Sequence, residues 1–201
     1  MTLGSQTICG GAFKDLYVDA WRLDTEDRST RVLNWTAHAN DAYPKGRVRP
    51  DEVLFQYSAG GLLSGDVHTA VRRFKLDREA ATQVDPIAGL PRDFVVEWLT
   101  APWDESRARS ESAALEARHA ELHRTDGVGD FPDSTARCTA GADLWQVVTH
   151  LYERPKRYYR VRWRNPFTFT MVDISDTPYP DCTVEDSRGQ TYSNLFEIDL
   201  R

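Results

Sequence analysis

Apolar and polar side chains alternate most regularly in two early stretches, residues 13–23 (FKDLYVDAWRL) and 31–39 (RVLNWTAHA), both rich in β-branched and aromatic residues. Alternation of period two predicts strands, and the polar loop DTEDRST between them predicts a hairpin. Setting Leu16, Val18 and Ala20 against Ala37, Trp35 and Leu33 gives one wholly apolar face. The opposite face then carries Asp15, Tyr17, Asp19 and Trp21 across from His38, Thr36, Asn34 and Val32. A slip of one residue would mix the two faces, so this register is the expected one.

Further along, 52–58 (EVLFQYS) and 66–76 (DVHTAVRRFKL) read as short strands. Arg72 and Arg73 are adjacent, and a regular strand cannot point both into solvent; a bulge or an edge position would resolve this. The apolar run 92–100 (RDFVVEWLT) reads either as a buried strand or as a short helix opened by Pro91. From 103 to 124 (WDESRARSESAALEARHAELHR) the pattern predicts one long helix, with Asp104 and Glu105 in its first turn and His123 and Arg124 in its last. Its apolar stripe is thin, so it covers something from outside. Strands are expected again at 144–152, 157–164, 167–175, 182–186 and 190–199, with Asn165–Pro166 turning a second hairpin. The order is strands, one helix, strands, which is α+β rather than a βαβ series. The expected architecture is a β-rich curved antiparallel sheet or partly closed barrel with the 103–124 helix packed over it; an open two-layer sandwich is the alternative.

Composition narrows the function classes. At 201 residues the chain suits one domain, 1–201, large enough to fold on a single core. Twenty-five basic against 31 acidic residues give a net charge of −6, which makes nucleic acid an unlikely partner for the surface as a whole. No apolar run approaches the ~20 residues that cross a bilayer, and the first residues lack the basic and apolar regions of a secretory signal. No membrane partner is therefore expected. Three cysteines, Cys9, Cys138 and Cys182, fall outside any CxxC pattern; an odd, scattered set of thiols fits a reducing, cytoplasmic setting.

Candidate chemistry follows from what the strands bring together. Asp15 and His38 become cross-strand neighbours with Asp19 beside them, and a carboxylate that orients an imidazole is the usual acid–base arrangement. Tyr17 and Trp21, with Asn34 and Thr36, would line a ligand cavity if that face turned inward; if it meets water, it is an ordinary polar sheet face. On the later hairpin Arg160, Arg162 and Arg164 share one face and Tyr159, Val161 and Trp163 the other. Three guanidinium groups in a row suit an anionic ligand. Their bland alternative is cross-strand pairing with acidic residues such as Glu197 and Asp199. His119 and His123 share a helix face at metal-ligand spacing, but HAELH is not HExxH, and two histidines closing a helix more often serve its dipole. The glycines of ICGG and SAGGLLSG lack a nucleotide-binding context. The chain therefore carries no metal or cofactor motif.

Two readings result. In the first the protein binds a small molecule in a pocket lined by the 13–39 hairpin, with cofactor-independent acid–base chemistry (isomerase, lyase, cyclase or hydrolase type) at His38, Asp15 and Asp19. In the second it is a non-catalytic binding or assembly module that uses the Arg160/Arg162/Arg164 face, or a strand edge near Arg72, to hold an acidic partner or nucleic acid. The thin stripe of the helix leaves surface that a second copy of the chain would cover, making a homo-oligomer.

Overall fold

A computed structural model describes residues 2–7, 14–23, 28–39, 45–60, 67–84, 87–123, 131–150, 155–165 and 167–185. Three antiparallel sheets organise it. The first contains β1 (Thr2–Thr7), β2 (Lys14–Leu23) and β3 (Ser29–Ala39), with β2 central. The second runs β4 (Lys45–Arg49), β5 (Glu52–Ala59), β6 (His68–Leu76) and β7 (Ala81–Val84) in chain order. Gly60 ends β5 at φ 91°, a left-handed conformation that glycine adopts without steric cost. The third sheet has the order β11 (Thr168–Ser175), β10 (Arg157–Asn165), β9 (Leu144–His150), β8 (Phe131–Arg137) and β12 (Val184–Glu185). None of the sheets closes into a barrel.

The β2–β3 register sets Leu16, Val18 and Ala20 against Ala37, Trp35 and Leu33. A shift after Ala20 places Trp21 opposite Arg31 instead of Val32. The extra residue lets Val32 and Leu33 both turn inward, the usual effect of a β-bulge. The apolar side of this hairpin packs on the second sheet, where Leu16, Val18, Ala20 and Leu33 meet Val53, Phe55, Tyr57 and Phe74. Trp35 sits edge-on to Phe55, Tyr57 and Phe74, with centroids 5.0, 5.5 and 6.1 Å away. The second sheet is covered on its other side too, where Leu54 and Val71 are buried and α1 packs against β6.

The run 92–100 is helical. α1 (Pro91–Thr100) starts at Pro91, whose ring holds Leu90 extended, and stops where Pro102 holds Ala101 extended. Eight of its ten residues are buried, because α1 lies between β6 on one side and β8–β11 on the other. Phe94, Val95, Trp98 and Leu99 form a second core with Val147, Tyr159, Val161, Phe169 and Met171.

The single long helix is not present. It divides into α2 (Trp103–Arg107) and α3 (Leu115–Leu122). The stretch between them uses its backbone elsewhere: Met171 N donates to Arg109 O at 2.7 Å and Glu111 N donates to Met171 O at 2.9 Å. Its serines also bond locally, with Ser110 Oγ donating to Ser106 O at 2.8 Å and Ser106 Oγ to Trp98 O at 2.8 Å, the competition that makes serine a poor helix interior. Strands β1, β4, β7 and β8 lie in stretches that show little alternation. The expected strand at 190–199 lies outside the described residues.

Cys138 and Cys182 form a disulfide across 44 residues of chain. The expectation of a reducing setting rested on unpaired thiols, and this bridge removes that footing. Cys9 lies outside the described residues. No helix among the described residues is long and apolar enough to cross a membrane.

Candidate functional site

The outer face of the β2–β3 hairpin gathers most of the residues that the alternation pointed to. Tyr17 pairs with Thr36, Asp19 with Asn34, and Asp15 with His38 along the ladder; the His38 side chain lies outside the described set. Tyr17 is 36% exposed, Trp21 47% and Leu23 70%, and Asn34 and Thr36 are exposed as well. Among the described residues the face is thus open. The Tyr17 hydroxyl donates to Asp15 Oδ2 at 3.4 Å. Arg31 donates to Asp19 Oδ1 through Nε at 2.8 Å and Nη2 at 2.5 Å, while its guanidinium lies 5.9 Å from the Trp21 ring centroid. The ion pair therefore sits against an indole, which orders both charges at the surface.

The arginine row faces acidic residues. Arg160 pairs with Asp181 and lies 4.1 Å over the Tyr179 ring. Arg162 donates to Glu111 at 2.5 Å and to Asp143 at 3.1 Å, and Arg164 lies 3.5 Å from the same Asp143. The hydrogen bond from Arg162 holds the Asp143 carboxyl below its ordinary range. These partners come from turns and the α2–α3 link rather than a neighbouring strand; Glu197 and Asp199 lie outside the described residues. With its charge answered in this way, the row offers a ligand little net field.

His119 and His123 also point to protein groups. The ring Nε2 of His119 bonds Trp98 O at 3.1 Å and Nδ1 of His123 bonds Leu99 O at 2.8 Å. Both close the carboxyl end of α1, whose last carbonyls have no partner within the helix. Burial pushes the His119 imidazole below its ordinary value.

A cluster that the strand pattern only hinted at lies where α1 meets β6. Arg72 turns inward, so the adjacent arginines are resolved by burial with a counter-charge in the interior of the sheet. Arg73 points the other way, to Glu52 at 2.5 Å. One oxygen of Glu97 accepts from Arg72 Nη2 at 2.7 Å, and the other bonds His68 Nε2 at 2.8 Å. On the next turn of α1, Asp93 Oδ1 accepts from Thr69 N at 3.2 Å. Arg72 lies 5.7 Å from the Tyr57 ring centroid. Burial pushes the Tyr57 phenol up to about 12, more than the nearby Arg72 charge lowers it.

Burial by itself would raise the Glu97 carboxyl, but Arg72 and His68 together hold it below the ordinary glutamate value. This is the carboxylate–imidazole partnership sought at Asp15 and His38. Here Glu97 and His68 are both buried and the carboxylate is committed on both oxygens, so the cluster fastens α1 to β6. The signal for it is in the sequence: one of two neighbouring strand arginines must find an acid, and Glu97 stands alone in the apolar run FVVEWL.

A depressed Glu97 also fixes the sign of one pH effect. A carboxyl whose folded value lies below its unfolded value adds stability above the unfolded value and loses it as pH falls through the folded one. Wild-type protein should therefore lose stability below about pH 4.3, the unfolded glutamate value, and Glu97→Gln should flatten that slope. Urea midpoints at a series of pH values measure it; equal slopes in the two proteins would contradict the assignment.

Beside the second core, a cleft of about 70 Å³ is lined by Ile87, Phe94, Arg109, Phe167, Thr168 and Phe169. Ligand pockets run to several hundred Å³, so this one admits at most a very small molecule. No family model, curated protein or solved structure matches this chain.

Proposed function

We propose that the protein is a binding module that takes its ligand on the open outer face of the β2–β3 hairpin. One observation carries the reading. Among the described residues four large apolar side chains are exposed, and three of them (Tyr17, Trp21 and Leu23) alternate along β2. Single exposed apolar residues are ordinary, but a row of them on the central strand of a sheet is a contact surface. Tyrosine and tryptophan suit this role because each offers a large rigid ring with a polar tip and few rotamers to freeze. Asp15, Asp19, Arg31, Asn34 and Thr36 add polar groups around the rings. The arginine row, satisfied by Asp181, Glu111 and Asp143, supports an acidic-partner reading less well.

Catalysis at His38, Asp15 and Asp19 gains no support from this face, since among the described residues no wall excludes water from it. The small-molecule reading survives in altered form, with a flat platform in place of a pocket. The Tyr17→Ala/Trp21→Ala double variant tests it, because both side chains reach solvent and their loss should leave the fold intact. Ring-bearing compounds that bind wild type by saturation-transfer NMR should lose at least about tenfold in affinity, or ~1.4 kcal/mol. Equal binding to wild type and variant would contradict the proposal.

A further inference from the structure

Resting on that reading of the hairpin face, we infer that the ligand is a neutral oligosaccharide. Tyr17 and Trp21 are four residues apart on one strand, which separates them by about 13 Å at ~3.3 Å per residue. That span exceeds a single sugar ring, so a chain of sugars reaches both aromatics and a monosaccharide reaches one. Each ring faces a polar residue on β3, Thr36 for Tyr17 and Arg31 for Trp21, with the Asp19–Asn34 pair between them. Aromatic faces pack against the C–H faces of pyranose rings, while carboxylate, amide, hydroxyl and guanidinium groups around them bond the hydroxyls at the ring edges.

Charge favours this class over other ring-bearing polymers. Among the described side chains of the row, Asp15 and Asp19 are carboxylates and Arg31 is the guanidinium, which pairs with Asp19 at 2.5 Å. A phosphodiester chain would stack its bases here only by bringing its backbone to a face with no surplus of positive charge, whereas single-strand platforms set their aromatics in a basic groove. A neutral saccharide meets no such repulsion. The Asp19–Arg31 pair, ordered beside the indole by its contact with Trp21, supplies an acceptor and a donor side by side, the pattern that two neighbouring hydroxyls require.

The test titrates the full chain with cellohexaose, chitohexaose and maltohexaose, with the corresponding monosaccharides, and with a thymidine dodecanucleotide. Calorimetry and backbone amide shifts provide the readouts. At least one hexasaccharide should bind more tightly than its monosaccharide. Trp21→Ala should weaken that binding about tenfold, the size of one aromatic packing contact, and Asp19→Asn should weaken it without altering the circular dichroism spectrum. Failure of all three hexasaccharides to bind at millimolar concentration overturns the ligand class. Binding of the oligonucleotide alone, with loss in Trp21→Ala, overturns the class and leaves the hairpin face standing as the contact surface. A hexasaccharide that binds Tyr17→Ala and Trp21→Ala as well as wild type overturns both the class and the face.

Discussion

Replacing Glu97 by alanine should destabilise the protein by about 3–5 kcal/mol, the cost of leaving a buried charge without its partner. The carboxylate is shared by Arg72 at 2.7 Å and His68 at 2.8 Å, and the Arg72 side chain has little access to water with which to replace it. Glu97 holds the Arg72 guanidinium above its ordinary value against the downward push of burial. Removing the acid therefore leaves a cation that can neither lose its proton nor rehydrate without opening the α1–β6 contact. Chemical denaturation of Glu97→Ala measures the loss. A companion variant, Arg72→Met/Glu97→Leu, removes both charges and should recover much of it, since well-packed apolar replacements of buried ion pairs are often neutral or stabilising. A loss in Glu97→Ala below about 1 kcal/mol, the range of exposed pairs, would mean that the cluster is solvated.

Loss of the disulfide is the second large effect. Cys138 follows β8 and Cys182 precedes β12, and both are buried. Beside the bridge, Thr139 N donates to Asp181 O at 2.8 Å, so the segment after β11 is also tied to the end of β8 by a backbone bond. In the chain-entropy account, closing a loop of this length removes freedom from the unfolded chain worth about 4 kcal/mol. The Cys138→Ser/Cys182→Ser variant should lose up to that amount, and its Tm should fall by roughly 8–16 °C at about 2–4 °C per kcal/mol for a chain of this size. Scanning calorimetry of the oxidised protein and the variant reads the difference directly. Coincident melting curves would show that the two cysteines are not joined in solution.

How much of this was legible in the sequence depends on the kind of signal. The β2–β3 register could be read because period-two alternation ties every side chain to a face, and only one pairing keeps Leu16, Val18 and Ala20 against apolar partners. The same alternation holds in the later hairpin, where Val161 lies opposite Met171 and Trp163 opposite Phe169. What alternation cannot give is which side of a sheet is covered. Tyr17 and Trp21 would have looked the same inside a pocket, and only the packing of the opposite face on Phe55, Tyr57 and Phe74 turns them outward.

The long helix failed for a local reason. Good helix formers fill 103–124, but Ser106, Ser110 and Ser112 offer competing bonds, and the backbone of β11, the outermost strand of its sheet, captures Arg109 and Glu111 at Met171. Tertiary pairing outweighed propensity there. The disulfide escaped because two cysteines 44 residues apart reveal nothing until the chain brings them together. Adjacent Arg72 and Arg73 require one of the two to leave the solvent face: a bulge or an edge is one way to place it, and a buried glutamate is another.

The most direct test of the hairpin as the contact surface is an amide shift map of the protein with the tightest ring-bearing ligand found by NMR screening. The account predicts that perturbations concentrate on 14–23 and 29–39 and include the Trp21 indole N–H. Shifts confined to the cleft around Ile87, Phe94, Arg109 and Phe169, with β2 and β3 unmoved, would contradict it.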